Sequence, residues 1–241
     1  MTIKHQMRKI LWHFGYDICR TTPKNNPLVR RKKFLERYDV NVVLDIGANA
    51  GRFARETRTQ CGYTEKIISF EPLSSAFHDL VMNAKGDEKW ITYNCALGDV
   101  DEEQEINIAG NSDSSSLLEM LPAHIEAAPK STYVGKERIK VCRLDSLFNE
   151  LCQEEDRIYM KIDTQGFEMN VLRGAEKVLP SIDTIQMEMS LVPLYNGQVL
   201  FNEMCSYMGR LGYHLISLEN GFSDTASGQL LQVDGIFHND R

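Results

Sequence analysis

Two stretches of this chain carry residue types that a fold seldom buries without using them. The first is Asp45-Ile46-Gly47-Ala48-Asn49-Ala50-Gly51, which follows the apolar run Asn41–Leu44 and leads into Arg52–Glu56. It reads as a strand-to-helix crossing whose glycines are spaced GxxxG, not as the GxGxxG of a dinucleotide site. Glycine lets the backbone come close to a ligand with no side chain in between. A carboxylate at the strand end, Asp45, would repel a pyrophosphate and attract a ligand bearing an ammonium or sulfonium charge. The second stretch is Tyr159-Met160-Lys161-Ile162-Asp163-Thr164-Gln165-Gly166-Phe167-Glu168. Strand alternation sends Lys161 and Asp163 to one side. Charges on a buried strand are expensive unless paired or used. A plain Lys161–Asp163 or Lys161–Glu168 ion pair would account for them; a catalytic role is the other reading.

In an open α/β sheet, ligands bind beyond the carboxyl ends of the strands, and the polar residues there extend the first motif. Phe70-Glu71-Pro72 ends the second strand, 26 residues beyond Asp45, the span of one strand-helix-strand unit. Glu71 there can take both ribose hydroxyls, or can simply be a charge at a helix start. Asn94-Cys95-Ala96-Leu97-Gly98-Asp99 ends the third strand with small residues that leave room for adenine, although Gly98-Asp99 also suits a plain turn. The cofactor-binding candidates are therefore Asp45, Gly47, Ala48, Asn49, Gly51, Glu71, Pro72, Asn94, Ala96 and Leu97, and the ligand they fit is S-adenosylmethionine (SAM). Glu188 ends the fifth strand on the same rim, and His124 is the histidine of the long insertion, where a bystander role is the commoner one. No HExxH, nucleophile elbow or Walker A sequence occurs, which leaves proteolysis, serine esterase chemistry and P-loop NTP hydrolysis without support.

These residues need a frame, and the pattern from residue 41 supplies one. Apolar strands are expected at Val42–Ile46, Lys66–Glu71, Trp90–Ala96, Ile158–Asp163 and Thr184–Met189, with helices at Gly51–Thr59, Ser74–Ala84, Phe167–Val178 and Val199–Leu211. That order implies a parallel sheet covered on both faces. Tyr213–Leu218 and Leu230–Phe237 have no room for a crossover helix between them and should form an antiparallel pair at one edge. Together these give an α/β, Rossmann-like, seven-stranded sheet, mostly parallel with a C-terminal antiparallel hairpin, as in class I SAM methyltransferases. Between Asp99 and Arg157 the flanks Glu105–Ile108 and Arg138–Arg143 read as an added hairpin. Its excursion, with the polar run Asn111–Ser116, should lie over the ligand end of the sheet, either as a functional element or as a solvated loop.

The 241 residues allow one substantial α/β domain. Six scattered cysteines without a CxxC speak against a disulfide framework or zinc site and for a reduced, cytoplasmic setting. No apolar run is long enough to span a bilayer, and no secretory h-region opens the chain. The net charge of −7 is unevenly spread: residues 1–38 hold ten Lys/Arg against Asp17 and Glu36, a balance of +8 that leaves −15 elsewhere. The expected organisation is a basic helical arm over 1–38 and a catalytic domain over 39–241 with its insertion at about 100–143. The acidic body disfavours nucleic acid as a partner. In the arm, residues 2–19 place Ile3, Met7, Ile10, Leu11, Phe14 and Ile18 on one helical face opposite Lys4, Arg8 and Lys9, followed by a Thr21–Pro27 loop and a second basic helix. Packing over one end of the sheet, a lid, or contact with a membrane surface all fit that pattern.

With these residues in view, residues 41–238 resemble the FkbM family of SAM-dependent methyltransferases. The resemblance rests on Leu44–Gly51, Phe70-Glu71-Pro72, Ala96–Asp99, Lys161–Glu168 with Val171-Leu172-Arg173-Gly174-Ala175, and Val233-Asp234-Gly235-Ile236-Phe237, supported by Ser114–Leu117. Of these, the lysine-strand motif is far more specific than the glycine turn. The resemblance implies O-methylation of a hydroxyl on a sugar, glycan or other natural product, so the partner is a small-molecule or carbohydrate acceptor. Asp163 is then the first candidate for the base, with or without a divalent metal, Glu188 the second and His124 the third; Lys161 orients Asp163 or binds the acceptor. Metal ligands cannot be assigned from the sequence. The alternatives are N-methylation of a small molecule or protein, disfavoured by Asp163-Thr164-Gln165-Gly166 where an Asn/Asp-Pro-Pro-Tyr/Phe motif would stand, and a non-catalytic SAM-fold scaffold.

Overall fold

The computed structural model describes residues 3–240, with side chains from Gln6 onward. Met1, Thr2 and Arg241, and the side chains of Ile3 and Lys4 expected on the two faces of the first helix, lie outside the described residues. The order is α1 (Ile3–His13), α2 (Pro27–Arg37), β1 (Val42–Ile46), α3 (Arg52–Thr59), β2 (Lys66–Phe70), α4 (Ser74–Ala84), β3 (Trp90–Tyr93), β4 (Ala96–Leu97) and β5 (Glu102–Ala109). Then follow α5 (Pro122–Ala127), β6 (Tyr133–Cys142), α6 (Leu144–Leu151), β7 (Ile158–Ile162), α7 (Glu168–Gly174), β8 (Thr184–Ser190), α8 (Phe201–Arg210), β9 (His214–Asn220) and β10 (Gln232–His238).

Seven strands form one sheet in the order β3-β2-β1-β7-β8-β10-β9. The first five run parallel, and β10 inserts antiparallel between β8 and β9. The expected C-terminal hairpin is therefore present, with β9 at the sheet edge. Every residue of β1 is buried, as a strand covered on both faces requires. Val42, Leu44 and Ile46 pack with Phe148, Leu172 and Met204, whereas Val43 packs with Leu35, Phe53 and Leu80 on the other face. Alternation along one strand thus feeds two cores.

The expected third strand is divided. It leaves the main sheet after Tyr93, where the Asn94 amide donates to the carbonyls of Glu71 and Pro72, and Ala96–Leu97 pairs with β6 in a second sheet of order β4-β6-β5. The insertion hairpin is the antiparallel β5–β6 pair of that sheet. The helix expected over Phe167–Val178 stops at Gly174, and a short 3-10 turn, Leu179–Ser181, carries Pro180.

The arm also departs from expectation. α1 ends at His13 rather than running to residue 19, because Gly15 turns the chain at φ 79° and Tyr16 N–H closes on the Leu11 carbonyl. Met7, Ile10, Phe14 and Ile18 remain exposed, so the apolar face of this segment does not cover the sheet. That work falls to α2, whose Leu35 and Arg31 are buried against the α3 side.

Candidate active site

The carboxyl ends of β1, β2 and β7 open into a cleft of about 730 Å³. Its shape begins at Gly47. The Gly47 and Ala48 N–H groups donate to the Phe70 carbonyl (3.1 and 3.0 Å), and Asp163 N–H donates to Ile46 (3.0 Å), which ties the first turn to both neighbouring strands. Gly47 has φ 75°, and a Cβ there would lie 1.9 Å from the Asp163 carbonyl oxygen. The two sequence motifs are therefore in direct backbone contact, which a side chain at this position would prevent.

One half of the cleft is a carboxylate beside an apolar slot. Glu71 is buried and accepts from Asn49 N–H (2.8 Å) and Leu73 N–H (2.9 Å), one to each carboxylate oxygen. Burial pushes its pKa up to about 7, against the restraint of those two N–H groups. Each oxygen keeps a lone pair for a further donor. Leu73, Leu97, Ile106, Leu117 and Phe167 supply apolar walls. The polar run of the insertion does lie over this end: Ser112, Asp113, Ser115 and Ser116 line the cleft, and the Asn49 amide donates to Asp113 (2.7 Å).

The other half is charged. Lys161 donates to Asp163 (2.9 Å) and lies 4.0 Å from Asp45 and 5.5 Å from the centre of the Phe53 ring. Burial works against the Lys161 charge, but Asp163, Asp45 and the hydrogen bond to Asp163 together raise its pKa. Burial also opposes the Asp163 charge, yet Lys161 and Gln165 hold its carboxyl below the usual range. Its side chain is 38% exposed, open to the cleft. Gln165, at φ 55°, donates to both Asp163 (2.8 Å) and Glu188 (3.0 Å) and accepts from the Tyr195 hydroxyl (2.9 Å). Arg31 lies on the Phe53 ring (3.9 Å), 3.8 Å from Glu56, and Gln186 donates to Asp234 (3.2 Å).

Of the residues singled out from the sequence, Gly47, Ala48, Asn49, Glu71, Pro72, Ala96, Leu97, Lys161 and Asp163 line this cleft together. Five do not. Asp45 is fully buried beneath the turn; the cation it faces is the chain's own Lys161, its Oδ2 accepts from Ser69 (3.2 Å), and burial raises its pKa. Gly51 is the N-cap of α3, packed between Trp90 and Leu80. Asn94 holds the turn after β3, as described above. Glu188 lies behind Gln165, its pKa raised well above the usual by burial and by Asp163 and Asp234. His124 is enclosed by the Tyr195 and Phe222 rings, and burial lowers its pKa. Glu168 makes no pair with Lys161; it accepts from the N–H groups of Thr164 and Gly166 (3.1 Å each) and so fixes the loop that carries Gln165. Arg31, Phe53, Gln165, Gln186 and Asp234 also line the cleft; none is assigned a site role from the sequence, although Asp234 lies in the Val233–Phe237 motif. Gln165 lies within the lysine-strand motif, and its neighbour Gly166 was the available signal. Among the described residues, no group of three or more His, Cys, Asp or Glu side chains is placed to hold a metal ion.

A seven-stranded, mostly parallel sheet with a reversed strand near its edge and a cleft at the carboxyl ends of β1 and β2 defines the class I SAM-methyltransferase fold. Residues 45–215 match the methyltransferase FkbM domain, and the chain belongs to that family. The structure is similar to the methyltransferase FkbM from Methylobacillus flagellatus KT (TM-score 0.51, 13% identity) over 82% of this chain and 44% of that one. This chain therefore spans less than half the length of that protein. It is also similar in fold to an rRNA methylase from Streptococcus thermophilus (TM-score 0.50, 9% identity), over 92% of this chain and all of that one. No match is found among curated proteins. Family and fold are both those of methyltransferases. No described helix is long and apolar enough to cross a membrane.

Proposed function

We propose that the chain is a SAM-dependent O-methyltransferase that methylates a hydroxyl of a sugar, glycan or other natural product. The observation that carries this reading is the contact of Gly47 with Asp163, which sets a charged, cleft-facing carboxylate against the turn expected to hold the methyl donor. The residues present fit SAM. The Glu71 carboxylate has free lone pairs for the ribose hydroxyls, the Leu73–Leu97–Ile106–Phe167 slot is apolar enough for adenine, and the cleft has the size of a small-molecule site. Bound there, SAM supplies an electrophilic methyl group on a positively charged sulfur.

Asp163 is the proposed base. Lys161 keeps it ionised at neutral pH, so it accepts the hydroxyl proton as the oxygen attacks rather than before. Lys161 and Gln165 occupy one oxygen each and fix the carboxylate's orientation, which is where an in-line transfer gains much of its rate. Asp163, Glu56 and Glu219 on this half are each paired with a Lys or Arg and Asp234 adds a further carboxyl, so little unpaired positive charge is left for a polyanionic nucleic acid, which favours a neutral polyol. The domain limits 39–241, with residues 1–38 as an appended arm, belong to the same proposal. So does a cytoplasmic setting, which six free cysteines support. The test is incubation with methyl-labelled SAM and fractionated glycan, lipid and small-molecule extracts. The expected result is label in a base-stable ether, lost in Asp163→Asn while SAM still binds. Label transferred to nitrogen, or full transfer by Asp163→Asn, refutes the assignment.

A further inference from the structure

The segment before α2 is built for a surface that the rest of the molecule does not provide. In α1 and the turn after it, Met7, Ile10, Trp12, Phe14, Tyr16 and Ile18 are each more than half exposed. Arg8 pairs with Asp17 (2.7 Å), which folds the Phe14–Asp17 turn back on the helix, so the exposure follows from a defined conformation. Arg8 and Lys9 stand on the helix face opposite Met7 and Ile10, with Arg20 and Lys24 following, all exposed.

We infer that residues 7–20 dock on an anionic lipid surface. Three features select this occupant. Basic residues on one helix face and large apolar residues on the other form the pattern of a helix lying in a bilayer interface. Trp12, four residues from Arg8 and three from Lys9, stands beside the basic face and Tyr16 lies in the turn after the helix; both are side chains that favour the depth of the headgroups. The charge is segregated: residues 1–26, before α2, hold five Lys/Arg against Asp17, a balance of +4 against −11 for the remainder, so an anionic bilayer attracts this segment and repels the body. The opposite charge of the body also raises the possibility of arm-to-body contact between two copies, but that would leave the aromatic and aliphatic side chains facing an acidic surface. Docking is independent of methyl transfer and is read without turnover.

The test uses the full chain with vesicles of phosphatidylglycerol and phosphatidylcholine in equal parts, and with phosphatidylcholine alone. Trp90 is buried and bonded to Ser69, so a change in tryptophan emission on adding vesicles reports Trp12. The expected result is a blue shift and co-sedimentation on the anionic vesicles only, weakened by salt. Lys9→Gln with Arg20→Gln should weaken partition about 25-fold, at about 5-fold per charge removed. Ile10→Glu with Phe14→Glu should abolish it while the melting temperature is unchanged. Equal binding to both vesicle types, no binding to either, or binding that survives Ile10→Glu with Phe14→Glu overturns the inference. So does concentration-dependent dimerisation that the same variants remove in the absence of any vesicle binding.

Discussion

Replacing Lys161 by Met tests whether this lysine is what allows a carboxylate to sit under the glycine turn. Methionine keeps the unbranched stem and removes the charge. Asp45 is fully buried, its Oδ1 has no hydrogen-bond partner, and Lys161 Nζ stands 4.0 Å away. Two unit charges at that distance attract by about 4 kcal/mol at an effective dielectric constant of about 20. The Asp163 contact is discounted, because that side chain is 38% exposed and screened by solvent. The expected loss of stability in Lys161→Met is therefore about 3 kcal/mol at pH 8, carried by Asp45. The pH dependence has a definite sign. Burial already raises the Asp45 pKa above its unfolded value of 3.8, so the folded state holds its proton more tightly, and stability falls as pH rises between those two values. Removing Lys161 extends that window upward. The lysine's own contribution, with its pKa raised above 10.5, is fully present at both pH 5 and pH 8. Urea denaturation should thus show a smaller deficit at pH 5 than at pH 8, and Asp45→Asn in the same chain should recover most of the loss and remove its pH dependence. An equal deficit at both pH values, or no recovery by Asp45→Asn, refutes the reasoning.

The cofactor half of the cleft gives outcomes that binding and melting experiments read directly. Glu71→Gln should raise the SAM dissociation constant by about 10- to 100-fold, because the amide must turn a donor toward either Asn49 N–H or Leu73 N–H and offers no anionic acceptor to the ribose. In the unaltered protein, calorimetry should show SAM affinity rising between pH 6 and pH 8 as Glu71 ionises through about 7, a rise that Glu71→Gln lacks. Gly47→Ala should cost about 2 kcal/mol or more and abolish SAM binding, since its Cβ would meet the Asp163 carbonyl at 1.9 Å. Gly62→Ala, at φ 70° in open space, should pay only the backbone strain and bind SAM normally; melting temperatures and calorimetry compare the two.

Much of the frame was legible because its signals are local. The apolar run up to Leu44, followed by glycines, marks β1 and its turn, and two strand-like runs with too short a connection for a crossover helix mark the β9–β10 pair. Asp45, Lys161 and Asp163 were legible as charges on strands that ought to be apolar. Their division of labour was not. Asp45 and Lys161 lie opposite each other in the β1–β7 register, so the cation that Asp45 faces comes from 116 residues further along the chain. Arg31 and Phe53 were hidden for a similar reason: each reads as an ordinary helix residue until α2 packs on α3 and places the guanidinium on the ring. Helical periodicity told which side of α1 was apolar, but not whether anything covered it.

Glu188 and Gln186 show how narrow the remaining gap is. They share one face of β8, two residues apart, and the sequence favoured Glu188 because it is charged and nearer the strand end. The β7–β8 register sets Gln186 beside Lys161, within the cleft. Glu188 lies one step further along, where Gln165, held by the loop that Glu168 fixes, closes over it. Gln232 donates to the same Glu188 oxygen (2.7 Å), so the carboxyl is enclosed by two amides rather than opened to a substrate. Its burial raises its pKa, and the nearby Asp163 raises it further. The raised pKa of Glu188 weakens it as a competitor of Asp163 for Lys161, which leaves Asp45 as the other carboxylate facing that lysine. Two acids at the ends of neighbouring strands thus have their pKa values moved in opposite directions by register and enclosure, neither of which the residue types alone reveal.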